Sequence, residues 1–423
     1  MMAFAIATDS MISADAGRGL SIRVLRTWEE LREIEQYWRT CAVNPNADYD
    51  FFKLIVAVRP EILHPYVIVA DRDGRPEYVL VGRKERCRLD VKIGYATLLR
   101  PKVTLITFIH GGELGTLNGL AAAEVLRMLV QRLQAGDADA ASFTHLRQDS
   151  MLSQAMEAMP GFFSCDPFPV RQPHRALELP DEVARFFAGL SPKVRKNQKW
   201  QAKKLHQAFP DQVLIRCYRK VSDLDCMFSE VERIAKQTYQ RGLGVGFADT
   251  AEMRQRMALA ASRGWLRAYV LNLGREPAAF WIGTLYRGVF YSDSMGYNTA
   301  FGHHSPGTYL LVKVIEEFCA EEPRQVSKID FGLGDAQYKQ VFGTENWSDK
   351  SAYVYAPTSR GLALKALRLL AASADRTARS VARKLRLEAR IKTGWRNWTR
   401  VALTAQSQDG PKGAERVVRS TAQ

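Results

Sequence analysis

The clearest pattern of apolar and polar positions lies in residues 305–343, SPGTYLLVKVIEEFCAEEPRQVSKIDFGLGDAQYKQVFG. Tyr309, Leu310, Val312, Val314, Ile315 and Phe318 recur at helical spacing and predict a helix with one apolar face. Ser305 suits its cap, Pro306 its first position, and Gly307 keeps side-chain bulk away from that end. A short buried strand is expected at 328–331. Beyond it, Gly332, Gly334 and Asp335 make a flexible tip that carries a carboxylate, and a second helix runs towards Gly343. The first helix start offers free backbone N–H groups and the positive end of a dipole, which suits a phosphate.

Upstream the period changes. Residues 21–25 read as a strand, followed by a helix holding Trp28, Leu31, Ile34, Glu35 and Trp38, and 50–58 is a further apolar segment. From 65 to 110 apolar runs alternate with turns, and Asp73-Gly74 between two such runs marks a hairpin. A helix at 117–133 and a strand at 141–146 complete a first α/β half. A proline-rich, extended stretch then leads to a short helix at 181–190 and a basic helix opening at Ser191-Pro192. The second half repeats the mixed pattern. It has helices at 224–239 and 250–262 around a segment at 242–247, strands at 265–272, 278–286 and 289–295, the stretch described above, and a closing strand at 351–355. Similar length and element order suggest a duplicated fold. A Leu/Ala/Arg-rich helix follows over 361–400, ending in Trp395 and Trp398, and the residues from 405 onward have the polar composition of a disordered end.

A chain of 423 residues exceeds one ordinary core, so two domains are expected. Hydrophobic content of 46% with 25% charged residues suits a soluble globular protein. No stretch approaches the roughly 20 apolar residues of a membrane span. Residues 1–20 lack a basic region before an apolar one and read as a disordered tail rather than a signal peptide. Cys41, Cys87, Cys165, Cys217, Cys226 and Cys319 show neither C-x-x-C nor Cys/His ligand spacing, which argues for reduced thiols in a cytoplasmic protein without a metal site. The net charge of +15 is concentrated at the end: 361–423 holds 14 Lys/Arg against 4 Asp/Glu. The sequence pI of 9.6 therefore says little about the core.

Three segments resemble a known family. LSPKVRKNQKWQAKKL (190–205) is similar to the basic helix that joins the halves of large GNAT acyltransferases related to FemAB proteins, the cellulose-biosynthesis (CelD-like) branch. SPGTYLLVKVIEEFC resembles that branch's small-residue loop and long helix, and IDFGLGDAQYKQVFGT resembles its D-F-G-x-G-D-x-x-Y-K-x-x-[FW]-G signature. The usual GNAT pyrophosphate loop, [QR]-x-x-G-x-[GA], is absent, and FGHHSPGT (301–308) stands in its place. The resemblance implies an α/β (α+β) fold of two fused GNAT-like subdomains with mixed sheets, over 21–178 and 179–356. A basic, amphipathic helical tail occupies 357–423. It also implies an N-acyltransferase with no permanently bound cofactor, moving acetyl from acetyl-CoA to an amine of a polysaccharide or cell-envelope precursor. Two rivals stay open: a FemAB-type aminoacyl-tRNA-dependent transferase, and a non-catalytic GNAT-like scaffold tethered to an envelope assembly.

Under that resemblance the site residues follow. Asp335 is the candidate base or amine-orienting group and Tyr338 the candidate proton donor to the departing thiolate; one turn apart, both can face one cleft. Their structural alternatives are an N-cap aspartate and a half-buried core tyrosine. His304, Ser305, Gly307, Thr308 and Lys339 are assigned to the donor, with backbone N–H groups of Gly307 and Thr308 on its pyrophosphate. Arg195, Asn197, Asp330 and Gly334 are assigned to the acceptor, with Asp330 alternatively an anchor of the glycine turn. The basic helix, with Lys193, Lys196, Trp200 and Lys203 on one face, fits a linker, a nucleotide phosphate or tRNA. The tail helix fits an anionic membrane surface or a protein surface. The expected location is the cytoplasm, with peripheral contact at the inner face of the membrane.

Overall fold

The computed structural model describes residues 19–384 apart from 94–95, 160–163, 239–240 and 242–245. The expectations for 1–18, for most of 242–247 and for the tail beyond 384, including Trp395 and Trp398, lie outside the described residues. Among the described residues, those from 19 to 172 with 347–380 form one compact unit and those from 173 to 346 another.

The first unit opens with β1 (Leu20–Leu25), α1 (Trp28–Arg32), α2 (Glu35–Cys41) and α3 (Tyr49–Val58). Then come β2 (Ile62–Pro65), β3 (Val67–Arg72), β4 (Arg75–Arg88), β5 (Val91–Ile93), β6 (Ala96–Leu99) and β7 (Lys102–Gly115). Helix α4 (Gly119–Gln134) crosses to β8 (Ala140–Arg147), and α5 (Met151–Ala158) follows. The second unit takes β9 (Val170–Glu178), α6 (Val183–Gly189), α7 (Pro192–Ala208), β10 (Val213–Tyr218), α8 (Leu224–Ala235) and α9 (Ala251–Ser262). It continues with β11 (Leu266–Leu273), β12 (Glu276–Tyr286), β13 (Val289–Tyr297), α10 (Pro306–Ala320), β14 (Lys328–Leu333) and α11 (Gln337–Phe342). The chain then returns to the first unit as β15 (Glu345–Tyr355) and α12 (Ser359–Lys384).

The expected duplication is present in the topology. Strands run β1-β3-β4-β7-β8-β15 in the first unit and β10-β11-β12-β13-β14-β9 in the second. In each, four antiparallel strands lead to one parallel pair, β7 with β8 and β13 with β14, bridged by a crossover helix. In each unit the parallel pair is followed by an antiparallel strand from elsewhere in the chain: β15 pairs with β8, and β9 with β14. For this reason the closing strand expected for the second half belongs to the first unit, and residues 173–178 belong to the second. The single helix expected through Trp28 and Trp38 is two helices, with a break at 33–34. The expected hairpin turn is present, with Asp73 and Gly74 at φ 50° and 77° between β3 and β4.

Period-two alternation explains the long apolar runs of the second unit. On β11, Leu266, Ala268 and Val270 face α8 and α9, packing on Phe228, Val231 and Met257. Tyr269, Leu271 and Leu273 face the opposite layer, where α10 contributes Leu310, Leu311, Val314, Ile315 and Phe318. A sheet covered on both faces needs apolar residues at successive positions, so these strands read as continuous runs. The first turns of α12 also pack inward: Leu364 is buried, and the Arg368 guanidinium lies 4.1 Å from the Tyr353 ring centroid and donates to Tyr355 Oη. Among the described residues no helix is long and apolar enough to cross a membrane.

Gly283 on β12 is the tightest point behind the wedge described below. A Cβ there would stand 2.3 Å from Phe290 Cζ and 2.5 Å from the Tyr291 carbonyl oxygen. Gly283→Ala is expected to lower unfolding free energy by about 1–3 kcal/mol, the usual cost of overpacking. A denaturant titration reading wild-type stability would show that Phe290 yields freely.

Candidate active site at the splayed strands

The site begins with a failure of pairing. β13 and β14 are hydrogen-bonded in parallel only where 289–291 face 328–330. Beyond that, β13 continues to Tyr297, while Gly332 and Leu333 of β14 pair with Arg175 and His174 of β9. The two strands part and leave a wedge at their carboxyl ends, the end at which open α/β sheets take ligands. A bulge sharpens it. Ile282 faces Ser294 and Gly283 faces Ser292, so Asp293 is the extra residue of β13.

Asp293 is open to solvent yet crowded by protein, as a group in a cleft is. Its Oδ2 accepts a hydrogen bond from Thr284 Oγ1 at 2.7 Å. Loss of hydration pushes its carboxyl above the usual range, and the Asp330 charge pushes the same way; the Thr284 bond and Arg256 oppose them. Asp330 Oδ1 lies 2.6 Å from His174 Nε2 and accepts from the Gly332 N–H at 2.7 Å, so this carboxylate anchors the glycine turn. Gly332 and Gly334 there have φ of 70° and 96°, which side-chain-bearing residues rarely adopt. The Gly334 N–H donates to the Pro173 carbonyl. Lys339 is buried, its Nζ donating to the Leu333 carbonyl at 2.5 Å, and burial lowers its pKa against the pull of Asp330.

Asp335 and Tyr338 are arranged otherwise than expected. Helix α11 starts at Gln337 with Ala336 as its cap residue, so Asp335 stands outside the helix and does not cap it. The Asp335 side chain is about half exposed, and its Oδ1 accepts from Arg175 Nη2 at 3.0 Å. Hydrogen bonding from Gln340 and then from Arg175 lowers its pKa, which makes it a weak base. Tyr338 sets its ring edge-on to Phe331 at 5.8 Å, packed partly into the core.

At the start of α10, Ser305 does not cap with its side chain. The 3-10 turn over Thr299–His304 closes on Ser305, whose backbone is left-handed at φ 53°. No hydroxyl therefore covers the first N–H groups. Gly307 is not demanded by packing: a Cβ there would come no nearer than 3.6 Å to Tyr297. Thr308 is half-buried beside it. His304 packs edge-on to Phe209 at 5.3 Å, and burial, His303 and Lys204 hold its pKa below the ordinary value. Lys204 of α7 donates to the His303 carbonyl at 3.2 Å, which brings the basic helix to this loop.

Arg195 is occupied elsewhere, donating to the carbonyls of Phe187, Ala188 and Leu190 at the end of α6. Asn197 is exposed on α7. The structure thus brings together Asp330, Gly334 and Lys339 at the tip of β14, and separately His304, Ser305, Gly307 and Thr308 at the start of α10. Sequence reasoning missed Asp293, Thr284, Arg256 and His174. The available signals were a glycine inside the apolar run of β12, which marks a bulge, and the polar Ser-Asp-Ser inside β13. Among the described residues no group of three or more His, Cys, Asp or Glu is placed to hold a metal ion.

No curated protein matches the chain. The structure of FemX is similar over 78% of this chain and 96% of that one, at 10% identity and a TM-score of 0.49. A conserved protein of unknown function from Bacteroides thetaiotaomicron is similar over 78% and 97%, at 12% identity and a TM-score of 0.47. The C-terminal domain of a putative lysylphosphatidylglycerol synthetase from Agrobacterium fabrum is similar over 70% and 85%, at 10% identity and a TM-score of 0.42. Residues 192–340, which run from the start of α7 into α11, match the family described as acetyltransferase (GNAT) domain.

Proposed function

We propose that the second unit is an acyl-CoA-dependent N-acyltransferase, most simply an N-acetyltransferase, acting on an amine. The observation that carries this is the start of α10, left without a side-chain cap at the end of the sheet where β13 and β14 part and Asp293 bulges. The start of α10, with no side-chain cap, supports a pyrophosphate there, and the nearby Lys204 adds positive charge. Beyond Tyr291 this edge of β13 has no strand partner, so its N–H groups on that side are available to polarise a thioester carbonyl. Asp293 takes a proton from the acceptor ammonium. The neutral nitrogen attacks the carbonyl carbon, the C–N bond forms, the C–S bond breaks, and the departing thiolate is protonated. Raising the carboxyl's pKa makes it a stronger base than Asp335. The resemblance points to polysaccharide or envelope precursors as acceptors, but no residue of the site requires one.

One observation favours the aminoacyl-tRNA rival. Helix α7 exposes Lys193, Lys196, Lys199 and Lys203 with Trp200, a combination suited to nucleic acid. Calorimetric titration of acetyl-CoA into the full-length protein separates the two. Binding is expected, and Gly307→Ala should weaken it several-fold without changing thermal stability. No binding at millimolar ligand, with salt-dependent binding of tRNA instead, would move the donor to aminoacyl-tRNA.

Asp293→Asn should lower kcat by about 10²-fold or more while leaving acetyl-CoA binding intact. Wild-type activity should rise with pH through a pKa above the ordinary carboxylate range. Because the folded state holds this proton more tightly than the unfolded chain, stability falls as pH rises through that interval, and the cost is full above it. Asp293→Asn is therefore expected to raise the melting temperature at pH 7.5 and to lose that advantage near pH 4. An unchanged or lowered melting temperature at pH 7.5 would contradict the environment assigned to Asp293.

A further inference from the structure

A cavity of about 160 Å³ opens beside Asp293, lined by Phe247, Met253, Arg256, Met257, Ile282 and Ser294 together with Asp293 itself. Its two charges are of opposite sign and come from different elements, Arg256 from α9 and Asp293 from the bulge of β13. The remaining wall is largely two methionines, a phenylalanine and an isoleucine. Arg256 pairs with Glu252 at 4.0 Å, and it lies within electrostatic reach of Asp293. The volume is close to that of a cavity of about 150 Å³ that holds benzene, so its apolar part suits one small apolar side chain.

Resting on the acyltransferase reading above, we propose that this cavity is the acceptor pocket and that the acceptor is a free amino acid with a small apolar side chain. Its ammonium group lies at Asp293, beside the wedge where the donor carbonyl is placed. Its carboxylate pairs with the Arg256 guanidinium, whose planar fork matches a carboxylate. Its side chain rests among Met253, Met257, Phe247 and Ile282, where methionines adapt to several shapes. Acylation joins the amino nitrogen to the acyl carbon, releases the thiol, and leaves one proton from the ammonium to reach solvent through Asp293. A site built around a carboxylate rejects the analogue that lacks it, because the guanidinium is then left without its counter-ion.

The test uses the full-length protein and three probes: L-leucine, L-leucinamide and glucosamine, each titrated by calorimetry with and without coenzyme A. Leucine should bind, leucinamide at least tenfold more weakly, and glucosamine not measurably. Arg256→Gln should bring leucine down to the level of leucinamide, and Arg256→Lys should recover part of the loss, with thermal unfolding confirming that both variants fold. Equal binding of leucine and leucinamide to the wild type, or binding of neither, overturns the proposal whatever the variants do. Release of free thiol from acetyl-CoA, measured alongside, separates this proposal from the one it rests on. Thiol release with all three amines alike leaves the acyltransferase and removes the pocket assignment. Arg256-dependent leucine binding without thiol release under any condition keeps the pocket and removes the acyltransferase.

Discussion

The site depends on one constraint: two parallel strands that pair for three residues and then part. A strand edge without a partner is costly in a buried sheet, since its N–H and C=O groups must be satisfied elsewhere. In the second unit β14 keeps β9 on its far edge from Lys328 to Leu333, while the edges of β13 and β14 that part from each other face the wedge. Everything around the wedge serves to hold it open. Phe290 lies over Gly283 and fixes β12 against β13, the bulge turns Asp293 out of register, and Asp330 holds the glycine turn that carries β14 away. The apolar face of α10 then anchors the crossover whose start looks onto the same end of the sheet.

Much of the fold was legible because it is written in local periods. Helices α7 and α10, strands β11 to β14 and the Asp73-Gly74 hairpin follow from spacing, caps and turn residues that act over a few positions. The interchange of β9 and β15 between the two sheets was not legible, since nothing local says which sheet a strand joins. The same limit explains the site. Asp335 and Tyr338 stand out in sequence because they follow a glycine tip, but Gln340 and, from far away in the chain, Arg175 lower the pKa of Asp335. Lys339 looks like a surface lysine, and only the close turn at Leu333 shows why it is buried. Asp293 is inconspicuous inside an apolar strand, and its chemistry arises from Thr284, Arg256 and Asp330, each on a different element.

The two units repeat one topology, and their differences indicate which of them is fitted to bind a phosphate-bearing donor. In the first unit β7 and β8 also part after a short parallel register, ending where Phe108 faces Phe143, and β7 is likewise distorted, with a register shift opposite Gly82. A carboxyl with a raised pKa is present there too, Glu113, shifted by loss of hydration and accepting from Tyr78. The wedge alone therefore does not define a donor site. The crossover helices differ where an anion would sit. Asn118 caps α4 with its side chain, its Oδ1 accepting from the Ala121 N–H at 2.8 Å, so that helix start is already satisfied. At α10 the corresponding serine is left-handed and gives no side-chain cap, and a lysine from α7 stands at the loop instead. Orphan N–H groups at a helix start require an acceptor from protein, water or ligand. The first unit provides its own and the second does not, so a duplicated fold can reserve its anion-binding helix for one copy.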